Sequence, residues 1–501
     1  MTESAPSHQP QSPPSPIPQP SPTPHRQAVG RAFSASWSQF QGKADARPAL
    51  TTAFRRASIA YGTMRAAALP PIVPAPSVDV QPRRTARVMA VCAALLSSWV
   101  LYRIFRLIAL DVNTPLGYIF FAGLSFVLLQ MALAATPQRI NYSGDGARTH
   151  SVAALVPVYN EDPAALRNAL ASLIDQTRPL DALSVVDDGT EGIDYGPVRD
   201  WFLTEARRQG IRAAWTRQAN AGKRHAQVAA AGAVPPVDVF LMVDSDTILD
   251  RGAVEAILAP FANPEIHAVG GIFFVLNYDT NILTRIQEIW MTSVQLIVRA
   301  ALSRVGSVVV ISGAIAAFRS AVLLDNEGLY LGETLRGAPV TYSDDSLLTL
   351  LALERGKVVQ QPKACALTLM PEKFSHHRRQ QMRWMRGSML RTLWRLSRLP
   401  VTRIAFWYAF WAILRQVLDV AIIITVIVWS VVLGTWLIAL AYCWGLAFSA
   451  AIQTIISIPY LSIHRSDQPA RSKALVIALA PVVALWLTLV IKPFQIWAMA
   501  T

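Results

Sequence analysis

Between residues 157 and 246, four polar clusters punctuate a largely apolar stretch. They are Pro157-Val-Tyr159-Asn-Glu161, Asp187-Asp188-Gly189, Asn220-Ala-Gly-Lys223-Arg224 and Asp244-Ser245-Asp246. Acidic side chains where a strand ends can accept hydrogen bonds from a base or a ribose. Backbone N–H groups at a helix start, joined by Lys223, can hold phosphate oxygens. Two carboxylates one residue apart, Asp244 and Asp246, offer hard oxygen ligands, which suit Mg²⁺ or Mn²⁺ held against a diphosphate. An isolated Asp-x-Asp is most often a loop or a cap. Its weight here comes from the order and spacing of all four clusters.

Those clusters need elements to position them. Ala153–Tyr159, Leu183–Asp188, Ile211–Thr216 and Val239–Asp246 read as short buried strands. Pro163–Asp175, Val198–Gln209, Lys223–Ala233 and Gly252–Phe261 read as the alternating helices. Such alternation predicts a mostly parallel α/β sheet with ligands at the carboxyl ends of its strands. Further on, a strand-like Val308–Ile311 precedes Ser312-Gly313-Ala314. Asp344 and Asp345 precede the helical pattern Ser346–Glu354, and taken alone read as an N-cap pair. Gln380-Gln-Met-Arg383-Trp384 lies in an Arg-rich segment, whose neighbours His376 and His377 are assigned no role.

Over 501 residues, hydrophobic side chains make up 52% and charged ones only 16%, against roughly 25% in soluble globular chains. The net charge of +14 sits in two blocks. Residues 1–87 hold ten basic and three acidic side chains, and residues 376–403 hold eight Arg and no acid. A nucleic-acid binder would instead spread its positive charge over a folded face with base-stacking aromatics, so nucleic acid is excluded as a partner. Cys92, Cys365 and Cys443 have no paired spacing, so neither a disulfide framework nor a zinc site is indicated.

Nine prolines in the first 24 residues argue for disorder, expected to continue to about residue 82. The apolar runs 88–110 and 116–136 are each long enough to cross the ~30 Å hydrocarbon core. Residues 420–463 contain no Asp, Glu, Lys or Arg and read as two helices turning near Gly434, and Ala474–Ile491 supplies a fifth span. The Arg clusters and the His464–Lys473 loop would face the cytoplasm by the positive-inside rule. The resulting division is 1–82 a disordered Pro-rich terminus, 83–140 two transmembrane helices, 150–370 a soluble domain, 371–403 an interfacial amphipathic segment, and 404–501 about three transmembrane helices. Alternating Arg with Met, Trp and Leu suits a helix lying in the bilayer interface.

The motif order from Val152 to Trp384 resembles glycosyltransferase family 2, and within it the membrane-integrated processive polysaccharide synthases. Val243-Asp-Ser-Asp-Thr247 and the Gln-Gln form of the last motif are similar to hyaluronan synthases and rhizobial chitooligosaccharide synthases. The resemblance implies an α/β GT-A domain inserted between transmembrane helices. It also implies a UDP-sugar donor, Mg²⁺ or Mn²⁺, a growing polysaccharide and a lipid bilayer as partners. By it, Asp345 is the general base beside Asp344, and Asp246 holds the metal with Asp244. Tyr159, Glu161, Asp187 and Asp188 contact the uridine. Lys223 and Arg383 meet the diphosphate, while Ser312, Gly313, Gln380 and Trp384 form the acceptor side. Ser343-Asp-Asp-Ser346 and Ile311-Ser-Gly-Ala314 depart from the usual hyaluronan and chitin patterns, which leaves the polymer open between hyaluronan, chitin and another β-glycan. Single transfer to a lipid or short acceptor is weighed down by the full Gln-x-x-Arg-Trp motif. A transporter carrying an inactive transferase-like domain is weighed down by intact Asp244, Asp246 and Asp345.

Overall fold

The structure is a computed structural model, and it describes residues 69–109, 115–136, 149–433 and 437–500. The expected disorder of residues 1–68, most of the 111–115 turn and the turn near Gly434 lie outside the described residues.

Residues from Val152 to Thr368 are built around an eight-stranded sheet. Its strands are β1 (Val152–Val158), β2 (Ala182–Asp187), β3 (Arg212–Arg217), β4 (Val239–Met242), β5 (Ile248–Leu249), β6 (Ile266–Val275), β7 (Ala316–Arg319) and β8 (Lys357–Thr368), in the spatial order β3-β2-β1-β4-β7-β6-β8-β5. The first four strands pair in parallel as the alternating pattern predicts. β1 and β2 are buried on both faces, and their uninterrupted apolar runs fit a sheet covered on both sides. The connecting helices Pro163–Ile174, Gly196–Arg208, Lys223–Gly232 and Ala253–Leu258 fall on the expected segments.

The second half departs from the expected mostly parallel sheet. β7 runs antiparallel to both β4 and β6, and β5 runs antiparallel to β8, leaving four of seven pairings parallel. Val308–Ile311 is not a strand. The bridge to β8 is made by Ser307 just before it, and the Ile311 N–H turns to Thr349 Oγ1, so no ladder forms. The strand follows the Ser312-Gly313-Ala314 turn as β7. The β4 run also stops at Met242, where a turn closed by Thr247 N–H on the Asp244 carbonyl lifts Asp244–Asp246 off the sheet.

β6 and β8 press together at Gly271, where an added Cβ would lie 2.4 Å from the Ala364 carbonyl oxygen and 2.7 Å from Ile315 Cγ2. Overpacking of this kind costs about 1–3 kcal/mol. Gly271→Ala is therefore expected to lower the melting temperature of the purified protein, measured by thermal unfolding in detergent.

Long helices flank this domain at Pro82–Ala109, Pro115–Ala135, Ile404–Leu433 and Leu437–Ser457, with a segmented helical run from Ala470 to Ala500. They overlap the five apolar runs of the sequence. Among the described residues, two segments, Gly445–Ser462 and Ala470–Gln495, are long and apolar enough to cross a membrane. The Pro-rich terminus gains structure before residue 82: Val78–Val80 pairs antiparallel with Ile463–Arg465. That pairing belongs to a set of contacts between the last helices and the sheet domain. Fully buried Arg465 meets Glu288 at 2.8 Å and Asp467 at 2.7 Å, and donates to the Val275 carbonyl at the end of β6.

Candidate active site

The expected donor-side and Asp-x-Asp residues lie along the carboxyl ends of β1, β2 and β4. Tyr159 is exposed just beyond β1, with its ring free to stack. Asn160 adopts a left-handed backbone (φ 50°), its N–H donating to Thr190 Oγ1, and the chain then turns Glu161 inward. Tyr195 holds that turn by donating to the Glu161 carbonyl and accepting from its N–H. The Glu161 carboxylate accepts from Ser245 Oγ at 2.9 Å, which ties the first cluster to the Asp-x-Asp loop. Burial raises the Glu161 pKa above its ordinary value.

After β2, Asp187 accepts from the Thr190 N–H and faces Arg217 at 3.5 Å. Asp188 uses both carboxylate oxygens on Gln218 Nε2 and on the N–H groups of Ala221 and Gly222, at 2.7–2.9 Å. It therefore pins the loop that opens the Lys223 helix.

Lys223 is the centre of the arrangement. Its Nζ lies 2.7 Å from Asp244 Oδ1 and 3.1 Å from Asp344 Oδ2, bridging the Asp-x-Asp loop and the later acidic pair. Burial alone would depress its pKa, but Asp244 and Asp344 outweigh this and hold it well above the ordinary lysine value. Gly313 closes against the bridge: a Cβ there would sit 3.2 Å from both Lys223 Nζ and Asp244 Oδ1. Neighbouring Ser312 is half-buried.

Asp344 and Asp345 begin the Asp344–Arg355 helix, so the N-cap neighbourhood foreseen for them is present. Yet the cap position is Ser343, which is left-handed (φ 62°) and makes no side-chain cap bond. The two carboxyls diverge electrostatically. Burial pushes Asp344 up, but Lys223 outweighs it and brings Asp344 below its usual range. Burial, reinforced by Asp344, raises Asp345 to about 6. Two acids whose environments drive their pKa values apart are the signature of divided acid–base roles. Asp345 Oδ1 accepts from the Ser346 N–H at 2.6 Å, which fixes the carboxyl in place.

Asp246 accepts from Thr368 Oγ1 at 3.1 Å, and burial together with Glu161 and Asp244 raises it to about 7. Its donor chemistry, two carboxylates in a crowded acidic setting, fits Mg²⁺ or Mn²⁺. No group of three or more His, Cys, Asp or Glu able to hold a metal ion occurs among the described residues. Two carboxylates are fewer than the six oxygen ligands that Mg²⁺ takes.

Gln380, Arg383 and Trp384 lie on the Phe374–Arg398 helix. Arg383 is exposed, Trp384 packs against the main core, and Gln380 Oε1 is buried without a partner. The helix reaches the acidic pair about one turn beyond Trp384, at Gly387 against Ser343. Thr368, Tyr195 and Glu333 are the supporting residues that sequence reasoning missed, and each is brought in from a distant segment. Ser245 and Arg224 stand inside clusters already singled out, but were given no role of their own.

Residues 150–387 match the family described as Glycosyltransferase like family 2. They form a family 2 glycosyltransferase domain. Over 280 residues the chain is 32% identical to hyaluronan synthase of Streptococcus pyogenes, covering 54% of this chain and 65% of that protein. An N-acetylglucosaminyltransferase of Neorhizobium galegae is 33% identical over 261 residues, 51% of this chain and 59% of that protein. The chain thus spans slightly less than two thirds of the length of these relatives. A mannosyltransferase from Pyrobaculum calidifontis, solved with GDP-mannose and Mn²⁺, superposes with a TM-score of 0.52 at 16% identity, over 80% of this chain and 99% of that one. The glycosyltransferase domain has the GT-A fold. Its sheet order and strand-end acids are the framework on which the Lys223 bridge is built.

Proposed function

We propose that this chain is a processive, inverting hexosyltransferase that polymerises UDP-activated sugars into an extracellular polysaccharide of the hyaluronan type. The reading places it as a multi-pass protein of the plasma membrane, with the glycosyltransferase domain on the cytoplasmic face and the product passing out through its own helices. One observation carries the reading. Lys223 joins Asp244 at 2.7 Å to Asp344 at 3.1 Å, so donor-diphosphate chemistry and a base pair share one cluster.

Tyr159, Glu161 and Asp187 hold the uridine, and the loop pinned by Asp188 presents its N–H groups and Lys223 to the diphosphate. Asp246 and Asp244 would hold Mg²⁺ or Mn²⁺, which draws negative charge from the departing diphosphate. Asp345 takes the proton from the acceptor hydroxyl as that oxygen attacks the anomeric carbon from the face opposite UDP, inverting the centre. Trp384 offers its ring to the acceptor sugar, Arg383 adds positive charge to the donor side, and Ser312, Gly313 and Gln380 line the acceptor side.

A chitin-type product is the second reading, favoured by the near-equal identity to the rhizobial N-acetylglucosaminyltransferase. The test is to supply purified protein with UDP-sugars singly and in pairs, then digest the product with linkage-specific hydrolases. The hyaluronan reading expects polymer only when UDP-N-acetylglucosamine and UDP-glucuronate are both present. Polymer from UDP-N-acetylglucosamine alone transfers the assignment to chitin. No UDP release from any donor removes the enzyme reading and leaves a transporter.

A further inference from the structure

Outside the reacting cluster, the least expected feature of the domain is a carboxylate buried between two guanidinium groups. Glu333 has a fully buried side chain. Both of its oxygens meet Arg391, Oε1 to Nη1 at 2.5 Å and Oε2 to Nη2 at 2.6 Å, and Oε2 also lies 2.8 Å from Arg224 Nη2. Arg391 is itself fully buried. A buried ion pair is weak evidence for stability, because the cost of desolvating both charges can exceed their attraction. What such a node fixes is geometry, so the informative question is which segments meet there.

Three segments meet, and each carries part of the proposed chemistry. Arg224 follows Lys223 on the donor-side helix. Arg391 lies two turns beyond Arg383 and Trp384 on the acceptor-side helix. Glu333 begins the excursion that returns to the chain at Ser343, directly before Asp344 and Asp345. Arg224 also donates to the backbone carbonyls of Tyr330 and Tyr342, at 3.0 and 2.7 Å, and so grips both ends of that excursion. From the same helix, Gln227 accepts from Tyr330 Oη at 2.5 Å and reaches Asp344 Oδ2 at 3.4 Å. On the other side, Gly387 touches Ser343 so closely that a Cβ would stand 2.6 Å from Ser343 Cβ. Ser343 is held in the left-handed region that a serine seldom adopts. A strained residue persists only where its surroundings over-determine it. Here they are Arg224 through Tyr342 on one side and Gly387 on the other.

We infer that Glu333 is a positioning residue for the transfer step. By holding Arg224 and Arg391 on one carboxylate, it locks the donor-side and acceptor-side helices in the register that places Asp345 against the acceptor hydroxyl. The inference rests on Asp345 as the base, and its consequence is selective. Loss of Glu333 misplaces the base while the uridine contacts, made by β1 and β2, stay intact. The effect therefore falls on kcat, leaving donor binding in place.

The test compares full-length protein carrying Glu333→Gln, Gly387→Ala, the double replacement Glu333→Gln with Arg391→Met, and Asp345→Asn, each assayed for UDP affinity, kcat, donor KM and melting temperature. Glu333→Gln and Gly387→Ala are each expected to lower kcat at least tenfold, with UDP affinity and donor KM within about threefold of the parent. The double replacement removes the excess buried charge and is expected to restore the melting temperature without restoring kcat. That split is one a purely structural pair would not show. If kcat recovers together with stability in the double replacement, or if UDP affinity falls in parallel with kcat in both single variants, the inference is overturned. Should Glu333→Gln fail to fold, Gly387→Ala and the double replacement carry the test. Normal turnover in Asp345→Asn would instead remove the base reading itself, a result distinct from normal turnover in the Glu333 and Gly387 variants.

Discussion

Asp345→Asn is expected to lower kcat by about 10²–10⁴-fold, the range typical of a lost general base, while UDP affinity stays within about twofold. The amide keeps the shape of the side chain and can still accept from the Ser346 N–H, so the start of the Asp344–Arg355 helix is preserved. What disappears is the proton acceptor. A pH profile adds an independent check. The carboxyl is raised to about 6 by burial and by Asp344. Because the base works as the carboxylate, kcat/KM in the parent should rise with pH through that value, and the residual activity of the Asn variant should lack this limb. Stability moves the other way. A carboxyl with a folded-state pKa above its unfolded value of about 3.9 holds its proton longer in the native state. Its contribution is present below the unfolded pKa and is lost as pH rises toward 6. At neutral pH the Asn variant should therefore melt no lower than the parent, so inactivity could not be ascribed to unfolding. Turnover above a tenth of the parent value, or an unchanged acid limb, would sink the assignment.

How far this site was legible in the sequence follows from how local each part is. The strand-end clusters at Glu161, Asp187, Lys223 and Asp244–Asp246 were readable because each is a short motif at the end of an apolar run. A parallel βα unit places such motifs on one edge whatever lies elsewhere. The antiparallel insertion of β7 was not readable. Its four residues carry no periodicity of their own, and their place between β4 and β6 is decided by two strands that both lie more than forty residues earlier in the chain. The same reason hid Thr368, which reaches Asp246 from the end of β8, and Glu333, whose partners lie 58 and 109 positions along the chain. Asp188 was read as part of the donor side. Its neighbour relations show that it serves by shaping the Asn220–Gly222 loop, a distinction that spacing cannot make because both roles need a carboxylate at that point. The +14 also changes meaning. Part of it is the exposed Arg378, Arg379, Arg383 and Arg386, while Arg391 and Arg395 on the same helix are buried against the domain.

The second large effect expected is on the divalent cation and its dependence on the nucleotide. Asp246 and Asp244 are two carboxylates, too few to hold Mg²⁺ or Mn²⁺ firmly by themselves, and one oxygen of Asp244 is already engaged by Lys223 at 2.7 Å. Asp246 is nonetheless held near 7 by burial beside Glu161 and Asp244, an excess of negative charge that a cation would relieve. These observations together predict ordered loading, with the cation binding well only when a diphosphate completes its oxygen shell. Calorimetric titration of Mn²⁺ into the protein should show at least tenfold tighter binding with UDP present than without it. Chelation with EDTA should abolish transfer, and added Mg²⁺ or Mn²⁺ should restore it. Asp246→Asn is expected to lose about 10²–10³-fold in kcat/KM, the scale of one preorganised contact to developing charge, with no rescue by excess metal. Two outcomes would refute this reading: full turnover in protein freed of divalent cations, or Mn²⁺ affinity independent of UDP. The second would mean that residues beyond this pair hold the ion. The first would leave Lys223 and Arg383 to carry the departing diphosphate, and Lys223→Ala would then be at least as damaging as Asp246→Asn.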